Sequence, residues 1–430
     1  MTTSANQYDI IIVGGGMVGA SLGCALGNKS LKIAIIEAHA NVTETPPSYD
    51  DRAIALSYGS SQIFRAMGLW EQIGQHVTPI TNIHVSDQGH PGATRINSRD
   101  EKVDALGYVI TASALGKILY QRLQNFDNVD FLRPARLTKL ELTDDSAEAT
   151  LDLEGRAKTL HARLIVAADG GNSSVRSILG ITAKAYDYKQ TAVTTNLSTS
   201  EPHNNVAYER FTGSGPLALL PMQAPMNAPT QPNTDIEKPA RQGANHRCSL
   251  VWTQHKHKTD AVMALDDTAF LQQLQYQFGT RLGQFTQVGK RVSYPLHLIK
   301  ANAQVQQRLV LIGNAAHMLH PIAGQGFNLG MRDVATLAQI IVECDNNQSD
   351  IGSIDTLNAY QAWRKQDQRR IIGFTDQLVR VFSNHFTPLA FARNIGLIAT
   401  DIFPPLKHQL AKHSMGLAGK LPRLARGLPL

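Results

Sequence analysis

Cysteine is scarce in this chain, which has only three among its 430 residues. Cys24, Cys248 and Cys344 are odd in number, far apart in sequence, and lack the close spacing of metal ligands. The pattern excludes a disulfide framework, and we expect no metal site. It predicts buried, unpaired thiols in a reducing compartment.

A long uncharged apolar run with the features of a membrane segment is also missing. The one candidate, residues 10–27, contains six glycines, follows Asp9 and has no Lys or Arg before it. These features oppose a signal peptide and a transmembrane span. The sequence therefore predicts a soluble, cytoplasmic protein.

An excess of one charge sign is absent except near the C-terminal end. The formal net charge is +6, and residues 377–430 contain seven basic residues and one acidic residue, so 34 of each remain elsewhere. This distribution argues against a nucleic-acid partner. Because residues 371–430 are also rich in large apolar side chains, they predict contact with an anionic membrane or an acidic partner. Ordinary helices with a solvated basic face are the alternative.

A glycine-rich motif follows the first apolar run. Residues 10–13 predict a buried parallel strand that leads directly into Gly14-x-Gly16-x-x-Gly19. Gly14 would form the tight turn, Gly16 would let a pyrophosphate approach the main chain, and Gly19 would let helix 17–26 pack closely. The motif predicts a dinucleotide site at the start of this helix.

A second strand supports the same interpretation. Residues 32–36 form a mainly apolar strand that ends in Glu37, about 20 residues beyond the glycines, where a carboxylate can bind ribose hydroxyls. Strand, glycines, helix, strand and acid in this order predict an adenine dinucleotide. The chain has only one such motif, so a pyridine nucleotide would bind transiently.

The stretch His320-Pro-Ile-Ala-Gly-Gln-Gly-Phe-Asn-Leu-Gly-Met-Arg-Asp333 brings three glycines and a proline to a helix start. A flat ring on Gly324, Gln325 and Gly326 would meet uncovered N–H groups. A helix predicted over residues 327–344 would direct the positive end of its dipole at the same place. Such a loop stabilises negative charge on a reduced cofactor, whereas the alternative is a glycine turn without a ligand.

Two further strand ends complete the nucleotide pattern. One ends in Asp169, which would order its loop, with Ser173 and Ser174 as candidate helix caps and Arg176 available to a phosphate. The last strand ends in Gly313 and Asn314, just before the glycine loop. Both strand ends are expected at one edge of the sheet.

The middle of the chain has a different pattern. Strand-like residues 215–221 and 247–254 flank a proline-rich and amide-rich stretch, 222–246, which predicts a long hairpin insertion. We predict an α/β fold in which a Rossmann-type domain is interrupted by an antiparallel β-sheet substrate domain and followed by helices. The predicted units are a nucleotide domain (1–75, 105–182 and 290–370), a sheet domain (76–104 and 183–289) and a helical, basic C-terminal segment (371–430).

These motifs, together with Asp51-Arg52-Ala53, resemble the single-component FAD aromatic hydroxylases of the p-hydroxybenzoate hydroxylase fold over nearly the whole chain. The 320–333 loop is similar to that of the ubiquinone-biosynthesis branch. Asn314 and two tail segments are most similar to the bacterial 2-polyprenyl-6-methoxyphenol hydroxylases. Most of the family has Asp at position 314, and Asn keeps the hydrogen bond to the flavin ribityl chain without the charge.

The resemblance implies roles for the motif residues. FAD is expected to contact Gly14, Gly16, Met17, Gly19, Glu37, Arg52, Asp169, Arg176, Gly313, Asn314, Pro321, Gly324, Gly326, Phe327 and Asn328. The loop at the flavin face would supply the catalytic residues His320, Pro321, Gly324 and Gln325. No residue is identified as the group that deprotonates the phenol. His317, His320 and the tyrosines are candidates, although hydrogen bonds that fix the loop are the favoured role for both histidines.

The resemblance also implies the reaction. NAD(P)H would reduce FAD, O₂ would form a flavin C4a-hydroperoxide, and a polyprenylated (methoxy)phenol would be hydroxylated in ubiquinone biosynthesis. Partners would be other enzymes of that pathway or the inner face of the membrane, contacted through residues 371–430. Two alternatives remain: an FAD oxidoreductase of the same fold that acts on a prenyl chain, and a non-catalytic prenyl-binding escort.

Overall fold

The computed structural model describes four stretches of the chain: residues 6–40, 51–223, 245–382 and 387–430. Most of the hairpin insertion predicted at 222–246 lies outside them. The strands are β1 (Gln7–Val13), β2 (Ile33–Ile36), β3 (Ala53–Ser57), β4 (Thr78–Ile80), β5 (Asn82–Asp87), β6 (Ala93–Asn97), β7 (Gly107–Thr111), β8 (Val129–Leu132), β9 (Arg136–Leu142), β10 (Ala147–Leu153), β11 (Arg156–Ala167), β12 (Ala183–Thr199), β13 (Val206–Thr212), β14 (Gly215–Met222), β15 (Arg247–His255), β16 (Phe285–Val288), β17 (Val292–Ala301), β18 (Val305–Gln306), β19 (Leu309–Leu311) and β20 (His317–Met318).

The helices agree closely with the apolar periodicity of the sequence. The helix predicted over 17–26 is present with those bounds, and the one predicted over 327–344 is slightly longer. The helices are α1 (Met17–Leu26), α2 (Tyr58–Ala66), α3 (Trp70–Gly74), α4 (Ala112–Leu123), α5 (Ser174–Ile178), α6 (Lys256–Met263), α7 (Asp267–Phe278), α8 (Gln325–Asn346), α9 (Ile354–Phe382), α10 (Thr387–Ile402) and α11 (Pro404–Ser414).

The first sheet has a parallel centre. Among the described residues its order is β18-β19-β11-β1-β2-β8, and β9 and β10 form an antiparallel ribbon beside β11. Alternate residues of β1 face different layers: Ile10 and Ile12 pack toward α1, α4 and α8, whereas Ile11 and Val13 pack toward the ribbon. Burial on both faces explains why these strands are continuous apolar runs. This sheet brings the carboxyl ends of β1, β2, β11 and β19 together.

The second sheet confirms the antiparallel pattern in the middle of the chain. Its order in the described residues is β20-β17-β12-β15-β14-β13-β5-β6, with β16 beside β12, and only β13 and β5 run parallel. One face packs against α6 and α7 through Trp252, Phe270 and their neighbours. The other face is available for a site. The third sheet is small and has the order β3-β7-β4.

Strand pairing and helix length correct two of the predicted domain boundaries. The sequence assigned residues 290–370 to the nucleotide domain, but β17 pairs with β12 along most of its length and so belongs to the second sheet. The predicted start of the C-terminal segment at residue 371 falls inside α9, which continues without a break to Phe382. The first correction was not visible in local patterns, because it depends on a strand partner distant in sequence.

The C-terminal segment is less uniform than predicted. Helices α10 and α11 pack on β5 and β6. Residues 415–430 are mostly non-helical and return to the first domain, where Leu424 and Ala425 are buried in its core. The backbone N–H of Gly59 donates to the Met415 carbonyl at 2.7 Å. This last stretch is therefore part of the nucleotide domain.

Cys24 and Cys248 are buried as predicted, while Cys344 is only half-buried, and all three are free thiols. Within the described stretches, no helix has the length and apolar content needed to cross a bilayer. In the same stretches, no cluster of three His, Cys, Asp or Glu side chains has the geometry of a metal site.

Candidate active site

The three motif glycines occupy three different environments. Gly14 has a φ of +104°, and a Cβ there would lie 2.6 Å from the Ala168 carbonyl oxygen. A Cβ on Gly19 would lie 1.9 Å from the Gly14 carbonyl oxygen. A Cβ on Gly16 would meet nothing within 4 Å. Gly14 and Gly19 are thus required by the fold, whereas the space at Gly16 is free for a ligand.

Glu37 follows β2 and lies over the glycine turn. Its Oε2 accepts a hydrogen bond from the Gly15 N–H at 2.9 Å, and its Oε1 accepts one from the His39 N–H at 2.9 Å. The carboxylate therefore stands at the carboxyl edge of the sheet, next to the start of α1. Charged acceptors of this kind bind ribose hydroxyls, and that contact stays a prediction.

The loop after β11 is ordered as the sequence predicted. Asp169 accepts from the Ser174 hydroxyl at 2.9 Å and from the Val175 N–H at 3.1 Å, and the Ser173 hydroxyl caps α5. Arg176 is buried, and its guanidinium donates to the carbonyl of Gly171 in its own loop. A phosphate contact by Arg176 stays a prediction, and in this conformation the side chain stabilises the loop.

Gly313 and Asn314 form a short 3₁₀ turn after β19. Gly313 has a φ of +57°, and its N–H donates to Asp333 Oδ2 at 3.1 Å. The side chain of Asn314 is exposed at the edge of the sheet. The amide is therefore open to a ligand, while α8 fixes the turn through Asp333, and a contact with the ribityl chain stays a prediction.

Asp333 is a buried centre of hydrogen bonds that sequence analysis did not identify. It accepts from His317 Nε2 at 2.8 Å, Arg364 Nε at 2.7 Å and Gln368 Nε2 at 3.1 Å. Burial alone would raise the pKa of Asp333, but attraction to His317 and Arg364 outweighs it and holds the pKa below its usual value. The favoured role of His317, a hydrogen bond that fixes the loop, is confirmed.

The glycine loop is fixed to β3 by the side chain of Asn328. Its Oδ1 accepts from the Ser57 N–H and the Ser60 hydroxyl, both at 2.8 Å. Its Nδ2 donates to the carbonyls of Ala55 at 2.9 Å and Gly324 at 2.7 Å. Asn328 thus sets the height of the loop above β3.

The two glycines of the loop have different surroundings. Gly324 caps α8 with a φ of +61°, and a Cβ there would lie 2.9 Å from the Cβ of Ala55. A Cβ on Gly326 would meet nothing within 4 Å. The start of a 22-residue helix, α8, therefore faces a surface that a flat ring can approach.

His320 and Gln325 were predicted at the flavin face, but both are buried beside the cavity and do not line it. His320 packs edge-on against Tyr188, and among the described residues neither of its ring nitrogens has a hydrogen-bond partner. Burial lowers the pKa of His320 to about 4, so the imidazole is neutral at neutral pH. His320 therefore supports the loop by packing and not by the hydrogen bond favoured for it, and its low pKa makes the imidazole a weak proton acceptor for the phenol.

A cavity of about 870 Å³ joins the glycine motifs to the second sheet. The predicted cofactor residues on its wall are Gly16, Met17, Arg52, Asn314, Pro321, Gly324, Gly326, Phe327 and Asn328. Gly14, Gly19, Glu37, Asp169 and Gly313 shape the surrounding turns. The far wall is mainly apolar and comes from the second sheet, α9 and α10.

Comparison with known proteins identifies this arrangement. The family described as FAD binding domain matches residues 7–375. The chain belongs to this family. A ubiquinone hydroxylase of Rhodospirillum rubrum, UbiL, is 36% identical, with 100% of this chain and 95% of the relative covered. The 3-demethoxyubiquinol 3-hydroxylase of Escherichia coli is 30% identical, with 95% of this chain and 98% of that relative covered.

Solved structures agree on the fold. A p-nitrophenol 4-monooxygenase of Pseudomonas putida, PnpA, superposes with a TM-score of 0.77 at 16% identity, covering 96% of this chain and 99% of the other. The predicted family, fold class, FAD cofactor and enzyme class are confirmed. The protein is an FAD-dependent monooxygenase, which uses O₂ and a reduced nicotinamide. The open spaces at Gly16 and Gly326 fit the cofactor.

Proposed function

We propose that this monooxygenase hydroxylates the ring of a polyprenylated phenol in ubiquinone biosynthesis, using NAD(P)H and O₂. The observation that carries the proposal is the continuity of the cavity, which leads from the glycine loop into a long apolar space. The relatives named as ubiquinone hydroxylases support the same substrate class. The finer assignment to 2-polyprenyl-6-methoxyphenol stays a prediction.

The apolar space is lined by the second sheet on one side and by helices α9 and α10 on the other. Its sheet side presents Ile83, Val85, Ala207, Leu220 and Val251, and its helix side presents Leu378, Phe382 and Leu397. Such a surface gains free energy by covering isoprene units, at roughly 25 cal/mol per Å² of apolar area. A small hydrophilic phenol would leave this apolar surface in contact with water, so a substrate with a long hydrocarbon chain fits better.

FAD supplies oxygen activation when it is bound, and the chain provides the electrostatic and apolar environment of the flavin ring. The N–H groups of Gly324 and Gln325, predicted to be uncovered, donate to the carbonyls of Pro321 and Ile322. The dipole of α8 is therefore the feature placed to stabilise negative charge on the reduced ring. The apolar walls exclude water from the reacting atoms. Pro321 lies on the same wall and limits how the phenol ring approaches.

The reaction is tested with purified holoenzyme, a prenylated phenol and NADH or NADPH under labelled ¹⁸O₂. We expect the product mass to increase by one oxygen atom that carries the label, with NAD(P)H consumed in step. Fragmentation of the product would identify the ring position. Reduction of the prenyl chain without O₂ consumption would instead support an oxidoreductase, and colourless protein would support a non-catalytic escort.

We further propose that helix α10 brings the enzyme to an anionic membrane surface. Phe391, Ile395, Ile398 and Ile402 recur every three to four residues and are 38–74% exposed, so they form one apolar stripe. Gly396, Leu397 and Thr400 lie between them in sequence and line the cavity. One helix therefore presents apolar side chains to the outside and also borders the substrate space.

The membrane proposal is tested by co-sedimentation with vesicles that contain anionic phospholipid. Replacing Ile395 and Ile402 together by Asp should abolish binding while flavin content stays normal, because neither side chain is buried. Tyr276→Asp, at an 80% exposed residue of α7, is the matched control and should bind as wild type. Unchanged vesicle binding by the double variant would refute the proposal, and binding of a pathway enzyme without vesicles would favour a protein partner.

A further inference from the structure

His84 is a buried histidine on the outer face of the second sheet, the face turned away from the cavity. Its neighbours on β5, Ile83 and Val85, line the cavity, so strand alternation directs His84 to the opposite face. There its ring centroid lies 5.7 Å from that of Tyr208, which packs against Phe278 of α7. His84 is therefore separate from the active site described above.

The imidazole of His84 has no polar partner in the protein. The residue is only 8% exposed, and among the described residues neither ring nitrogen has a hydrogen-bond partner. Burying a polar group without a partner costs free energy, so such groups are rare and call for an explanation. A ligand that accepts the imidazole N–H would provide one.

Three arginines surround this imidazole. Arg95 is the register partner of His84 on β6, so the two side chains are direct cross-strand neighbours on one face. Arg210 of β13 pairs with Ser86, two residues after His84, and its Nη1 lies 3.5 Å from the Ser86 hydroxyl oxygen. Arg281 follows α7 and is exposed, and it is close enough to lower the pKa of His84. The outer face thus carries a cluster of donors around one buried imidazole.

Positive charge in this cluster is only partly balanced. Burial is the main cause that lowers the pKa of His84 to about 4, followed by repulsion from the three arginines. The pKa of Arg210 is also lowered, first by burial and then by Arg281, while Asp87 opposes that effect. A bound anion would reduce this repulsion and would favour the protonated imidazole.

We propose that His84, Arg95, Arg210 and Arg281 form a binding site for a phosphate group. Phosphate has enough acceptor oxygens for an imidazole N–H and several guanidinium donors at once, and arginine matches its geometry. The sheet separates this site from the cavity. A nucleotide held here would therefore be too far from the flavin to reduce it, which distinguishes the site from that of the reduced nicotinamide.

The phosphate site borders the apolar stripe of α10. The backbone N–H of Arg95 donates to Asp401 Oδ1 at 2.8 Å, and the Arg95 guanidinium lies 3.4 Å from Asp401 Oδ2. Asp401 directly precedes Ile402, which is 74% exposed and belongs to that stripe. The phosphate group can therefore come from a lipid headgroup beside α10 or from a soluble phosphate compound, and the two sources are separated by experiment.

The first experiment measures the melting temperature of holoenzyme against inorganic phosphate at constant ionic strength. Arg281→Gln is compared with wild type and with Arg156→Gln, a control at an exposed arginine of β11 in the first sheet. The general stabilising effect of phosphate as a salt acts on all three proteins alike. Wild type and Arg156→Gln should show an additional, saturable rise, for which Arg281→Gln should need about 10-fold more phosphate because one charged contact is lost.

The second experiment follows the imidazole resonances by NMR, with His84 identified by the signal that is missing in His84→Gln. Phosphate should raise the pKa of His84 in wild type from about 4 toward the ordinary value for histidine, because a neighbouring anion favours the charged ring. The same phosphate concentration should raise it less in Arg281→Gln. A cluster with a purely structural role would show no such response to phosphate.

Co-sedimentation with phosphatidylglycerol vesicles identifies the source of the phosphate group. Weaker vesicle binding by Arg281→Gln than by Arg156→Gln would support a lipid headgroup, and equal binding together with the altered phosphate response would support a soluble compound. Equal phosphate responses in all three proteins, with an unchanged pKa of His84, would overturn the site. Turnover of a short-chain phenol should stay normal in Arg281→Gln, so failure of the proposed reaction would be a separate result.

Discussion

Gly16→Val is expected to yield folded protein that contains almost no FAD. A Cβ at this position meets no protein atom within 4 Å, so the apoprotein has room for the larger side chain. The same room is where the cofactor pyrophosphate is predicted to approach the start of α1, and valine would fill it. Flavin absorbance per protein should fall to near zero, while the melting temperature of the apoprotein stays close to that of wild-type apoprotein.

The matched control is Gly19→Ala, three residues along the same helix. Its Cβ would lie 1.9 Å from the Gly14 carbonyl oxygen, so the turn and helix must separate. This variant should lose stability in the apo form as well as FAD, which distinguishes a structural glycine from a ligand-binding one. Yellow Gly16→Val with a full complement of FAD would disprove the assigned role.

Asp333→Ala should cause a large loss of stability in the nucleotide domain. Asp333 is fully buried, and its removal leaves Arg364, also buried, with one carboxylate partner fewer. Breaking a buried pair of this kind costs about 3–5 kcal/mol. Chemical denaturation of the apoprotein measures the loss, and Glu343→Ala, an exposed acid on the same helix, should change stability little.

Acidification provides a second measurement on the same residue. The pKa of Asp333 is lower in the folded protein than in the unfolded chain, where it is about 3.9. The stability that Asp333 contributes is therefore complete above the pKa of the unfolded chain. It is lost as the pH falls through that pKa toward the pKa of the folded protein. Asp333→Asn should weaken the fall of stability with acid in that window. An identical pH dependence in both proteins would contradict this account.

The glycine motifs could be predicted from the sequence because their chemistry is local. Gly14 and Gly324 have positive φ angles, and Gly19 allows a contact that any side chain would block. Such requirements restrict the residue type at one position, whatever the rest of the chain does. The helix over residues 17–26 could be predicted for the same reason, because it begins directly after the glycine turn and its residues are mostly apolar.

The partners of buried charges could not be predicted in this way. Asp333 was visible at the end of the glycine loop, but Arg364 lies 31 residues later on another helix. Likewise, the separation of Tyr208, which packs on Phe278, from Phe211, which packs on Phe382, depends on the pairing of whole sheets. The prediction failed for β17 for the same reason, because its partner β12 lies about 100 residues earlier.

The return of residues 415–430 to the nucleotide domain also bears on the order of events during synthesis. Leu424 and Ala425 complete the core whose first strand is β1, and the Lys29 ammonium donates to the Leu430 carbonyl at 2.9 Å. The ribosome therefore produces the glycine motif long before the residues that close the core beneath it. Stable retention of the cofactor should follow the emergence of residues 415–430 from the ribosome, and nascent chains stalled before residue 415 should bind it poorly.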